Sequence, residues 1–253
     1  RVDYALRHNH FPTGPWRSVG ATQNAFFLES FIDEIAHATA RDPVQLRREL
    51  LAHDPRALRV IDEAARRGGW GTPVKPGHAL GFAYFECYGS LCAHVAEVSI
   101  KDGAPRVHRV VCVLDCGEVV TPDGARAQAE GGIVQGLSAA LGEALTLKGG
   151  AAIEQNFDTY PLLRLPDAPR EIDVHFIQSG EPLGGVGEPV LPPIAPAVAN
   201  AVRVLTGKPV RRLPILVPGF RLFGYSHAAR EPPNHRQPGT PQHRALSGVR
   251  PPT

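Results

Sequence analysis

An α+β fold is predicted, with an N-terminal helical segment, antiparallel strands packed with long glycine-containing helices, and a disordered C-terminal tail. Three observations predict it. Residues 22–39 carry apolar side chains at helical spacing, residues 79–115 are rich in aromatic and β-branched residues punctuated by turn signals, and helices and strands come in blocks rather than in strict alternation.

The first helix, over 22–39, sets Phe27, Phe31, Ile35 and Ala38 on one side and Asp33 and Glu34 on the other, an amphipathic pattern. Asp42-Pro43 supplies a cap and a first-turn proline for a short helix through Leu51, and Asp54-Pro55 repeats the device for a helix that stops at Gly68-Gly69. Strands follow over 79–88, 91–100 and 106–115, with Lys101-Asp102-Gly103 as the turn between the last two. Residues 123–145 return to helix after Thr121-Pro122. Its glycines Gly131, Gly132 and Gly136 each cost about 1 kcal/mol against Ala, which implies close approach by a backbone, a ligand or a packed sheet. Further strands are expected over 153–160 and 171–178, then a glycine-dense loop over 180–193 and a helix over 195–206 ended by Gly207. From Pro218 to Thr253 the chain has seven Pro, five Arg and one acidic residue without hydrophobic period, the composition of a disordered tail.

With 253 residues, 43% hydrophobic and 21% charged, the chain is long enough to bury a sizeable core and is not a disulfide scaffold or a collagen-like repeat. A net charge of +2 gives no reason to expect nucleic acid, and the tail offers only Phe220, Phe223 and Tyr225 as stacking rings. No apolar run approaches the roughly 20 residues of a membrane span. There is no Met, so Arg1 reads as a processed end or the edge of a longer chain. Cys87, Cys92, Cys112 and Cys116 contain no C-x-x-C pair; Cys112 reads as a small buried hydrophobe, and no metal ligand is assigned.

No dinucleotide fingerprint, P-loop, zinc-protease or hydrolase-elbow motif occurs. Three glycine-bearing segments remain: 14–20, 128–132 and 184–189. In the last, Gly184-Gly185-Val186-Gly187 precedes Glu188. Glycines permit close backbone approach to a ligand, and a carboxylate near the N-terminus of the helix at Ala195 would be favoured in its ionised form, the form a general base requires. A solvated loop glutamate is the plain alternative.

Residues 14–35, 110–141 and 181–215, with Phe157–Leu163 between them, resemble the molybdopterin-binding large subunit of the xanthine dehydrogenase family, specifically its isoquinoline 1-oxidoreductase beta-subunit type. The resemblance implies a molybdenum hydroxylase that places a water-derived oxygen on an electron-poor carbon of an N-heteroaromatic or aldehyde. Glu188 falls on the family's catalytic base. Gln128, Gly187 and Arg17 fall on cofactor-contacting positions, and Val19 on the substrate pocket. The Trp16–Gly20 loop departs from the form found in the purine enzymes, so a purine substrate is not expected. The implied cofactor is molybdopterin cytosine dinucleotide with molybdenum. The implied partners are a small subunit carrying 2Fe-2S clusters, the remaining N-terminal portion of the large subunit, and a small-molecule substrate. Residues 1–217 would then be the C-terminal portion of the molybdopterin-binding domain, inactive in isolation, and 218–253 a tail without counterpart. The alternative is a non-catalytic assembly module that retains only subunit-contact surfaces.

Overall fold

The computed structural model describes residues 13–215 together with Ala5 and Phe11; the tail expected to be disordered lies outside the described residues. Three helices come first: α1 (Val19–Ala38), α2 (Pro43–Leu50) and α3 (Pro55–Gly68). The Asp-Pro pairs act as expected. The Asp42 carboxylate accepts the Gln45 N–H at 2.8 Å, and Asp54 accepts those of Arg56 and Ala57 at 2.9 and 3.0 Å. Each cap satisfies donors with no partner inside the helix and is worth about 1 kcal/mol.

Strands β1 (His78–Cys87), β2 (Ser90–Lys101) and β3 (Ala104–Asp115) form an antiparallel meander. After α4 (Pro122–Leu141) come a two-residue pair, β4 (Leu147–Lys148) and β5 (Ala151–Ala152), then β6 (Glu171–Phe176) and α5 (Ile194–Thr206), which ends on Gly207. The main sheet has the order β1-β2-β3-β6. Its last pair is parallel, with Arg109 opposite Glu171 and Leu114 opposite Phe176, so the sheet is mixed rather than wholly antiparallel. A parallel pair needs a long crossover; residues 116–170, including α4, provide it. The strand expected over 153–160 does not form. The Thr159 and Tyr160 N–H groups turn back to Asn156 O at 2.9 and 2.8 Å, and Asn156 Oδ1 accepts the Phe157 N–H. Asn and Thr side chains that offer the backbone a local partner outcompete a ladder.

Side-chain alternation divides the core into two layers. On β2, Leu91, Ala93 and Val95 face α3, whereas Cys92 and Ala96 pack with α4 and α5 residues such as Ile133, Leu137, Ile194 and Val198. Gly81 lets α5 lie directly on β1: a Cβ there would stand 1.9 Å from Ala197 O.

The buried side of α1 is the reverse of the amphipathic reading. Phe27 and Phe31 are 63% and 60% exposed, while Phe26, Glu29 and Asp33 are buried. The cause is an ion pair. Glu29 Oε2 accepts Arg47 Nε at 2.8 Å and the Tyr84 N–H at 2.7 Å, and Arg47 also donates to Glu29 O and Pro43 O. Tyr84 lies on β1, an edge strand whose outward N–H groups need partners; a carboxylate from α1 supplies one. Burial pushes the Glu29 carboxyl upward, and Arg47 and the Tyr84 N–H pull it partly back.

Candidate active site

Four of the five singled-out residues converge, although Arg17 lies 111 positions from Gln128 and 170 from Gly187. Arg17, just before α1, reaches between α4 and the 184–188 loop. Its Nε donates to Gly187 O at 2.7 Å and its Nη2 bonds the same oxygen. Nη2 also meets Gln128 O and Oε1 at 3.1 and 3.2 Å, and Nη1 meets Gln135 Oε1 at 3.1 Å. The guanidinium, a fixed fork of five donors, clamps the loop to the helix. Burial pulls the Arg17 pKa down and the nearby Glu188 charge pushes it back up.

Glu188 is held by Ser18. The Ser18 N–H donates to Glu188 Oε1 at 2.9 Å, and Ser18 Oγ donates to Glu188 O at 2.7 Å. Among the described residues nothing donates to Glu188 Oε2, which leaves that oxygen able to take a proton. The contact requires Ser18 and Val19 to adopt φ of 68° and 43°. Such a conformation costs on the order of 1–3 kcal/mol per non-glycine residue and is typical of functional sites. The carboxylate therefore faces the start of α1, not α5 as the loop's position in sequence suggested; α5 begins six residues later.

The glycines divide by role. A Cβ on Gly132 would come 2.6 Å from Val190 Cγ2 and 3.2 Å from Arg17 Nη2, and one on Gly136 would come 2.4 Å from Ile194 Cγ2. These two α4 glycines make room for the segment leading into α5 and for the clamp, whereas Gly131 faces open space. Gly184 packs on the β1–β2 turn, where a Cβ would meet Ser90 Oγ at 2.2 Å, so its close approach is to protein. Gly187 lies against the Gln128 amide, with a built Cβ 3.3 Å from Oε1.

Val19 is 52% exposed at the first turn of α1, beside the cluster but outside its hydrogen bonds. Ser18 and Gln135, which bond Glu188 and Arg17, are neighbours that the motif reading passed over. Gln135 stands seven residues, two helical turns, after Gln128, and that spacing on one helix face was the available signal.

The site is braced from below by Asp115, fully buried at the end of β3. Its Oδ1 accepts Arg56 Nη2 at 2.9 Å, Ser179 Oγ at 2.7 Å and the Gly117 N–H at 3.1 Å, joining α3 to the loops at the sheet's end. Burial pushes the Asp115 carboxyl up, but Arg56, Ser179 and Gly117 outweigh it and hold it below its usual value. A depressed carboxyl contributes stability that is complete above its unfolded pKa, about 3.9, and is lost as pH falls through the folded value. Asp115→Asn should flatten the acid limb of an unfolding curve and cost about 1.5–3 kcal/mol at neutral pH. An unchanged acid limb would contradict the brace.

These residues suit a pterin-type ligand. The Gln128 Nε2 amide donates to no described residue, Glu188 Oε2 is available, and Gly187 places bare backbone beside the Gln128 amide. They supply polar edges and shape rather than metal ligands.

Comparison with known proteins agrees with this fold. Two family models match, both described as molybdopterin cofactor-binding domains, over residues 34–169 and 2–51. The chain belongs to the molybdopterin-binding domains of the xanthine dehydrogenase family, a family of molybdenum-dependent oxidoreductases. Among its relatives, it is 37% identical over 204 residues to the beta subunit of isoquinoline 1-oxidoreductase from Brevundimonas diminuta, covering 79% of this chain and 26% of that protein. It is 34% identical over 258 residues to the B subunit of nicotinate dehydrogenase from Pseudomonas putida, covering 92% and 22%. The chain thus spans about a quarter of the length of these curated relatives. The solved structure of the aldehyde oxidoreductase from Desulfovibrio gigas shares the fold, with a TM-score of 0.63 over 79% of this chain and 40% of that one at 13% identity.

Proposed function

We propose that residues 1–217 form the base-carrying portion of a molybdenum hydroxylase large subunit, with Glu188 as the catalytic base. The net reaction exchanges a C–H bond of an N-heteroaromatic or aldehyde for C–OH. Water provides the oxygen; two protons and two electrons leave, the electrons to 2Fe-2S clusters on a small partner subunit. When bound, molybdenum with molybdopterin cytosine dinucleotide supplies the two-electron oxidant. The chain's residues do the rest. Glu188 takes a proton at Oε2 while Ser18 fixes its other oxygen. The Gln128 amide and the Gly187 backbone hold the cofactor's edge, Arg17 keeps those two in register, and Val19 borders the substrate.

One observation carries this reading: a single guanidinium bonds both Gly187 O and Gln128 Oε1 next to a carboxylate anchored by the adjoining Ser18 N–H. Support for the substrate class comes from relatives whose names specify isoquinoline, nicotinate and aldehyde. The test is Gln128→Ala in the intact protein. Loss of one hydrogen bond worth about 0.5–1.5 kcal/mol should weaken cofactor retention about two- to tenfold, read as pterin and molybdenum per chain. Full retention through dialysis would remove Gln128 from the cofactor site. The 253-residue chain expressed alone should purify without stoichiometric molybdenum, because most of its relatives' length has no counterpart in it.

A second reading, a non-catalytic assembly module, is favoured by the exposed apolar stripe of Phe27, Phe31 and Ile35 on α1. Loss of turnover with the cofactor retained when Glu188 is replaced would separate the two.

A further inference from the structure

We propose that Cys92, His94 and Cys112 form a binding site for one soft closed-shell cation, zinc(II) or copper(I), between the sheet and helices α4 and α5. Placement comes first. Cys92 and His94, two residues apart, share one face of β2, and Cys112 stands directly opposite His94 on β3. All three are fully buried, and their ligand atoms lie within 4.8 Å of one another.

The spacing is that of a coordination polyhedron. Cys92 Sγ is 3.8 Å from Cys112 Sγ and 3.5 Å from His94 Nε2. Around a tetrahedral centre with metal–sulfur bonds of about 2.3 Å and metal–nitrogen bonds of about 2.0 Å, the S···S and S···N edges come to about 3.8 and about 3.5 Å. These two edges match the geometry of the ion, and the third pair, Cys112 Sγ and His94 Nε2, lies within 4.8 Å.

The chemistry also calls for an occupant. The surrounding layer is built from Ala, Val, Leu and Ile, yet it holds an imidazole whose Nδ1 has no hydrogen-bond partner. Apolar residues would fill that space without leaving a buried polar atom unpaired, at a cost that packing does not return. Ligation at Nε2 would give the buried ring a role no apolar side chain could fill, and folding around the ion makes its binding energy part of the protein's stability. Thiolate and imidazole donors together select soft cations.

Charge balances too. Zinc(II) displaces a proton from each thiol and forms a neutral centre with two thiolates and neutral His94. Copper(I) displaces one proton and is neutral with one thiolate and one thiol. No electrons move in either case. The site lies close to the catalytic loop through β2, since Ser90, two residues before Cys92, donates to Gly185 O at 2.6 Å.

The experiment uses the intact protein, purified under reducing conditions from cells grown with added zinc and, separately, with added copper. Elemental analysis is paired with X-ray absorption at the zinc and copper edges. About one ion per chain with sulfur neighbours at about 2.3 Å is expected in one of the preparations, and the edge that responds identifies the cation. Cys92→Ser and Cys112→Ser should lower that content at least tenfold, and Cys87→Ser should keep it. Because a core variant could misfold, wild type alone also decides. Below a tenth of an equivalent of sulfur-bound metal in both preparations overturns the proposal, as does mass-spectrometric detection of a Cys92–Cys112 disulfide in the protein as purified.

Discussion

Glu188→Gln in the intact protein is expected to lower turnover by about 10²–10⁴-fold, the range over which a positioned general base contributes, while molybdenum and pterin contents stay at wild-type levels. Glutamine keeps the shape. Its carbonyl can still accept the Ser18 N–H, and the Glu188 backbone carbonyl can still accept Ser18 Oγ. What it loses is the capacity to take a proton at the second oxygen. Glu188→Asp, one methylene shorter, withdraws the carboxylate from the Ser18 anchor and should fall between the two. Steady-state rates measured alongside metal analysis check this; turnover within about twofold of wild type, against the 10²-fold minimum expected of a lost base, would exclude Glu188 from the proton step.

The second large effect is on stability. Arg47→Met removes one partner of a fully buried ion pair and should cost about 3–5 kcal/mol, most of it from leaving Glu29 charged and unpaired. The pH dependence follows from Glu29. Its folded pKa is already raised by burial and rises further once Arg47 is gone. A carboxyl with a raised folded pKa contributes stability that is present below its unfolded pKa, about 4.3, and lost as pH rises through the folded value. The Arg47→Met penalty should therefore be largest at neutral pH and shrink toward acid, and adding Glu29→Gln should recover part of it. Amide hydrogen exchange at Tyr84, whose N–H bonds Glu29 Oε2, reads the opening free energy directly. Protection of Tyr84 that is unchanged at neutral pH would show that the pair does not hold α1 to the sheet.

Legibility in the sequence tracks how local each feature is. The Asp42-Pro43 and Asp54-Pro55 caps, the Lys101–Gly103 turn and the Gly207 stop depend on a few neighbouring residues and stand where their local patterns place them. The face of α1 was not legible. Apolar periodicity identified Phe27, Phe31 and Ile35, but side selection came from Glu29 meeting Arg47, 18 positions on, and Tyr84, 55 positions on. The parallel pairing of β6 with β3 was likewise hidden, because nothing in Glu171–Phe176 encodes direction. At the site, Glu188, Gln128, Gly187 and Arg17 were singled out by family resemblance, and the fold brings them together. The clamp that joins Arg17 to Gly187, 170 positions apart, and the two positive φ angles behind Glu188 emerge only from the fold. The cysteine spacing gave no metal signal because the ligand set includes His94 and is assembled by strand register.

On the proposed function, the Glu188 carboxylate and the Gln128 amide face one and the same cofactor. An experimental density map of the intact protein with molybdenum and pterin bound tests it most directly. The pterin is expected within hydrogen-bonding distance of Gln128 Nε2 and against Gly187, with Glu188 Oε2 turned toward the bound cofactor. A bound cofactor that touches neither Gln128 nor Gly187, or a Glu188 side chain turned out to solvent, would contradict it.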